Sequence, residues 1–185
     1  MNERSNSLLV FTSTAVSMIL LAALALLVPQ DVISRHGLLQ SYTAVCRGVI
    51  PGIERLAAVS SFPQVTILVV SVMWTLVPVS TGVYLFRMHG AGQFVEQFRK
   101  KLFFGTFCAC VVALSIVLLA VLYDITPGDL EGRLINENVL HAVSTSRMGL
   151  GLVAGFFLSG VALLLFMVLL WLLNVRNIYF PVSRP

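Results

Sequence analysis

The sequence predicts an all-α integral membrane protein: a bundle of four transmembrane helices with short amphipathic helices in the extracytoplasmic loops. Of its 185 residues, 58% are apolar and 11% are charged, whereas an ordinary soluble domain has roughly 25% charged residues. The mean hydropathy is +0.94. This composition excludes a soluble enzyme, a nucleic-acid-binding domain and a disordered regulator. We expect residues 1–185 to form a single membrane domain.

Four stretches contain no Asp, Glu, Lys, Arg or His: 8–28, 65–86, 102–123 and 149–173. Each has the length of about 20 apolar residues that crosses a bilayer. The first stretch exceeds the roughly 7–15 apolar residues of a signal peptide. We therefore predict that it remains attached as a signal anchor, which ends at Pro29.

Residues 29–64 form the longest polar connection between the predicted spans, and an amphipathic helix is expected within it. Its apolar side chains recur at steps of three or four, which places them along one side of a helix: Leu38, Tyr42, Val45, Cys46, Val49, Ile53 and Leu56. Pro51 and Gly52 predict a break near Ile50 and a second short helix through Ala58. We expect this segment to pack on the top of the bundle; the alternative is that it lies in the lipid interface.

Pro78 lies inside the second span, where its missing N–H cannot donate to the carbonyl of Trp74. The hydroxyls of Ser71 and Thr75 can relieve the strained turn. A helix kink at Pro78 is therefore predicted, and we interpret it as structural.

The charged loops predict the orientation. Seven positive residues fall in the 34 loop residues on the face that carries both termini, and five fall in the 61 loop residues opposite. The positive-inside rule assigns the richer face to the cytoplasm. Within that face, Arg99, Lys100 and Lys101 are expected to bind the membrane surface. We expect a bacterial inner-membrane location with both termini cytoplasmic.

The fourth span carries small residues at four-residue spacing, Gly151, Gly155 and Ser159, and Gly160 adds to them. Small residues at this spacing form a groove that lets another helix approach closely in lipid. We predict a helix-contact face there. The partner helix belongs either to the same chain, which we favour, or to another protein.

No residue pattern indicates catalysis, and we expect no enzyme activity, cofactor or metal. Ionisable side chains inside spans mark proton, ion and substrate paths, and the four stretches contain none. His36, His89 and His141 all fall in loops, so none is placed to hold a haem between helices. The three cysteines, Cys46, Cys108 and Cys110, predict neither a disulfide framework nor a zinc site.

These observations favour a non-catalytic membrane subunit of a larger assembly, such as a bacterial secretion or conjugation apparatus. One alternative is a membrane immunity protein against a pore-forming toxin. Another is a small oligomeric channel or carrier. Its polar lining would consist of only a few hydroxyl side chains: Ser13, Ser17, Ser71 and Thr75. The expected partners are the lipid bilayer and either other membrane subunits or further copies of this chain, with no nucleic acid.

Overall fold

The computed structural model describes residues 3–87, 111–113, 141 and 143–179, and every element within them is helical. In chain order the helices are α1 (Glu3–Leu27), α2 (Val32–Arg35), α3 (Gly37–Val49), α4 (Gly52–Ala58), α5 (Pro63–Arg87) and α6 (Arg147–Tyr179). The prediction of an all-α fold is confirmed for the described part of the chain.

Three segments among the described residues are long and apolar enough to cross a membrane: Leu8–Leu27, Pro63–Arg87 and Arg147–Leu173. They cover the first, second and fourth predicted spans. The third predicted span, 102–123, lies outside the described residues except for 111–113, which are helical. The four-helix bundle therefore stays a prediction.

Helix α6 is the central element, because it packs against α1 on one side and α5 on the other, whereas α1 and α5 share a smaller contact. It runs antiparallel to α1, since Gly151 lies against Ala22 and Gly155 against Met18. It runs parallel to α5. The three helices thus share one end, at which α1 ends and α5 and α6 begin; we call it the Arg147 end.

Apolar side chains from all three long helices form the core. The larger cluster occupies the half nearer the Arg147 end and includes Leu21, Val69 and Leu158. A second cluster lies towards the other end and contains Tyr84 and Phe166, whose rings are 6.0 Å apart and inclined at 55°. This spacing is typical of a favourable aromatic pair.

The connection between α1 and α5 contains α2, α3 and α4. Helix α3 ends at Val49 and α4 begins at Gly52, so the chain breaks where Pro51 and Gly52 predict. Helix α4 buries Ile53 in the main core and also buries Ala57. The segment is anchored to α5 by Gln64, whose side-chain Oε1 accepts from the backbone N–H groups of Ile33 at 3.1 Å and Ser34 at 3.3 Å.

The single apolar face predicted for residues 38–56 is divided in the structure. Tyr42 and Cys46 turn towards the core and are half-buried. Leu38, Val45 and Val49 are exposed. Only part of the apolar side of α3 therefore packs against protein, because steps of three and four cover an arc wider than one packing contact.

Candidate functional site

Helices α1 and α6 approach so closely that their backbones touch at two glycines of α6. A Cβ built on Gly151 would lie 2.6 Å from the backbone nitrogen of Ala22, and one built on Gly155 would lie 2.6 Å from that of Met18. Side-chain carbons essentially never come this close to a backbone. Both positions therefore require glycine if the two backbones are to touch.

The register of this contact follows from its two glycines. Moving four residues along α6 moves the partner four residues back along α1, so each turn of one helix meets a turn of the other. Ser159 continues the same face and is buried, with 5% of its surface exposed. Its hydroxyl has no hydrogen-bond partner within the described residues.

Gly160 lies outside this contact, although the sequence analysis grouped it with the other three residues. Nothing lies within 4 Å of a Cβ built on it, and the residue is exposed. The reason is helical phase, because each residue turns the helix by about 100°. Gly160 is one step beyond Ser159 and faces away from α1.

The other predicted sites lie elsewhere. Helix α5 continues through Pro78 from Pro63 to Arg87, and the Thr75 hydroxyl donates to the Ser71 carbonyl at 2.9 Å one turn before it. The kink stays a prediction. Arg99, Lys100 and Lys101 lie outside the described residues.

Arg147 connects three helices at the Arg147 end, and the sequence analysis counted it only as a loop charge. Its Nη1 donates to the carbonyl of Val28 at 2.9 Å, and its guanidinium lies 5.9 Å from the centre of the Phe62 ring. The Val28 carbonyl lies just beyond the C-terminus of α1, where carbonyls lack partners within the helix and carry partial negative charge. A cation there both satisfies and stabilises the helix end.

Two hydroxyls join the long helices further along the bundle. The Tyr84 hydroxyl on α5 donates to Ser13 Oγ on α1 at 3.1 Å. The Thr81 hydroxyl lies 3.3 Å from the carbonyl of Ala162 on α6, while also bonding the Val77 carbonyl at 2.9 Å. A tyrosine and a threonine within an apolar span could have indicated these bonds, because polar side chains join helices in membranes.

Three of the four hydroxyls considered for a channel lining have other surroundings. Ser13 accepts from Tyr84. Thr75 lies 2.7 Å from the Tyr42 hydroxyl. The side chain of Ser71 is fully buried. Three of the four therefore take part in contacts between helices or are closed off from solvent.

No group of three His, Cys, Asp or Glu side chains that could hold a metal ion occurs among the described residues. Cys46 is a free thiol, while Cys108 and Cys110 lie outside the described ranges.

No protein-family model, curated protein or solved structure matches the chain. The residues and contacts of the chain itself must therefore indicate what it does.

Proposed function

We propose that this protein is a non-catalytic integral membrane subunit of a larger membrane assembly, of the kind found in bacterial secretion or conjugation machines. In this proposal it crosses the inner membrane four times, with both termini in the cytoplasm. It acts through the faces of its helices and not through a reaction centre.

The first support is the chemistry of the three described spans. None of Leu8–Leu27, Pro63–Arg87 and Arg147–Leu173 contains an Asp, Glu, Lys, Arg or His except at its ends. Charged or titratable groups within spans mark proton, ion and substrate paths. Spans of the present kind are suited to packing against other helices and lipid.

The observation that carries the proposal is the exposed outer face of α1. The contact with α6 buries only a narrow strip of α1, whose most buried large residue is Leu21. On the side turned away from that contact several large apolar side chains are exposed, including Val16 at 61% and Ile19 at 68%. The small residues of α6 are used within the chain, so α1 offers the broader apolar surface to neighbouring helices.

The test is the size of the protein in its native membrane. A tagged copy expressed from its own locus and extracted in a mild detergent should run as a discrete complex much larger than the 20.2 kDa chain in its micelle. Changing Val16 and Ile19 together to Ala keeps α1 apolar but removes bulk from its outer face. We expect this variant to leave the complex and to retain the thermal stability of the native protein.

The matched control is the double change of Val79 and Phe86 to Ala, which trims exposed apolar side chains on α5. It should leave the complex intact. A native protein that extracts as a single chain at its natural abundance would contradict the proposal. So would equal loss of the complex in both double variants, because the effect would then not belong to α1.

A further inference from the structure

Helix α3 lies beside α5 and not above the bundle. The Tyr42 hydroxyl is 2.7 Å from Thr75 Oγ1, and Thr75 is 12 residues from either end of α5. At a rise of about 1.5 Å per residue, this point lies roughly 18 Å from each end. The hydrocarbon core of a bilayer is about 30 Å thick. If α5 spans it centrally, the Tyr42 hydroxyl reaches the middle of the membrane.

The backbone of α3 lies nearer the Arg147 end than this hydroxyl does. Leu39 and Tyr42 pack against the cluster of Val32, Ile33 and Leu68, and Leu68 is only five residues into α5. The ring of Tyr42 therefore extends along α5 towards the bilayer centre. This places α3 at the depth where headgroups meet acyl chains.

The bond of Tyr42 has a defined direction. The Thr75 hydroxyl gives its hydrogen to the Ser71 carbonyl, so Tyr42 donates to Thr75. Burial raises the pKa of the Tyr42 phenol. The phenol is therefore neutral and suited to a site below the membrane surface.

The two flanks of α3 differ in polarity. At about 100° per residue, Leu38, Val45 and Val49 fall within one narrow arc. Gln40 and Arg47 fall on the opposite side of the helix, with the contact to α5 between the two flanks. Leu38 is 88% exposed, Val45 68% and Val49 64%.

The polar flank faces the Arg147 end. Gln40 donates through Nε2 to the Ser34 carbonyl at 3.3 Å, and the Ser34 N–H in turn bonds Gln64 near the start of α5. Arg47 Nη1 lies 3.6 Å from Glu54 Oε1. Because Tyr42 adjoins the apolar flank and reaches towards the middle of α5, that flank faces the bilayer centre.

The surface of α5 below α3 is also apolar and exposed. Val79 and Phe86 lie four and eleven residues beyond Thr75, which puts them on the same face of the helix. Both side chains are exposed. The apolar flank of α3 is thus continuous with an uncovered strip of a candidate transmembrane helix.

We propose that α3 is an interfacial helix embedded in the leaflet at the Arg147 end, with Leu38, Val45 and Val49 in the lipid acyl chains and Gln40 and Arg47 at the headgroups. The occupant of this exposed flank is lipid. The inference is independent of the proposed assembly, because it holds for the isolated chain in a bilayer.

Spin-label accessibility tests the proposal. Cys46, Cys108 and Cys110 are first changed to Ser. Single cysteines are then placed by Val45→Cys on the apolar flank, with Leu38→Cys and Val49→Cys as further positions if one variant folds poorly. The labelled proteins are reconstituted into vesicles of phosphatidylethanolamine and phosphatidylglycerol. Collision rates with oxygen, which partitions into acyl chains, and with a polar nickel chelate are compared.

Two reference positions calibrate the result. Val79→Cys reports the exposed flank of α5, and Gln30→Cys reports the exposed connection after α1. We expect the ratio of oxygen to nickel collisions at Val45 to approach that at Val79 and to exceed that at Gln30 several-fold. A ratio at Val45 equal to that at Gln30 would place α3 in water. Low collision rates with both reagents at all three flank positions would show that protein covers this surface; either result overturns the proposal.

Discussion

The two sides of α6 are packed in different ways. Towards α1, Gly151 and Gly155 allow the backbones to touch, with no side chain between them. Towards α5, the contact is made by large side chains, of which the Tyr84 and Phe166 ring pair is one example. The difference matters because two backbones can touch only where no side-chain atoms lie between them. Large side chains, in contrast, can adjust their rotamers when a neighbour changes.

The comparison indicates where the bundle tolerates change. Water drives no apolar association between helices inside a membrane, so their stability depends on packing and on hydrogen bonds. The α1 side should therefore fail sharply when a side chain is added. The α5 side should weaken gradually as single groups are removed.

Gly155→Leu should have the largest effect. A branched side chain placed against the Met18 backbone would push α1 away from α6, and overpacking of this kind costs about 1–3 kcal/mol. Unfolding by a denaturing detergent in mixed micelles measures the loss. The matched control is Gly160→Leu, the same substitution five residues along the same helix, where there is open space. Equal destabilisation by both substitutions would contradict the asymmetry.

Arg147→Met should have an intermediate effect. It removes the donor to the Val28 carbonyl and the cation above the Phe62 ring, and a favourable charge at a helix C-terminus contributes up to about 2 kcal/mol. The same unfolding assay should show a loss of about 1–2 kcal/mol. Arg87→Met, at an exposed position at the far end of α5, serves as the control and should change stability by less than about 0.5 kcal/mol. Similar losses in the two variants would mean that charge alone, and not the contact with α1, accounts for the effect.

Tyr84→Phe should have the smallest effect. It deletes the hydroxyl that bonds Ser13 and keeps the ring against Phe166. Hydrogen bonds between membrane helices contribute about 0.6 kcal/mol on average, so the midpoint of unfolding should shift slightly. A loss as large as that of Gly155→Leu would show that the hydroxyl, and not the close backbone contact, dominates the bundle.

The sequence predicted the elements of this fold better than their contacts. Charge-free stretches predicted the three described spans because the length and polarity of a membrane helix are set by the bilayer. Gly151 and Gly155 predicted a close contact, but their spacing contains no information about the partner helix. Helical phase alone could have separated Gly160 from that face.

Two tertiary features could not be predicted from the chain alone. Arg147 meets Val28 only because α1 ends and α6 begins at the same height, although 119 residues separate the two residues in sequence. The depth of α3 depends on the bond from Tyr42 to Thr75, which joins residues 33 apart. Both contacts depend on three-dimensional packing. The periodicity of apolar residues predicts which side of a helix is buried, but not which residue of another helix it meets.

The central claim is that the glycine face of α6 contacts α1 of the same chain. Solid-state NMR of protein labelled with ¹³C-glycine and ¹³C-methionine in lipid bilayers tests it directly. We predict a transfer peak between a glycine and a methionine Cα that disappears in Met18→Leu, while the sequential peak of Met148 and Gly149 remains. The peak should persist when labelled protein is diluted with unlabelled protein. Its absence, or its loss on dilution, would contradict a contact within the chain.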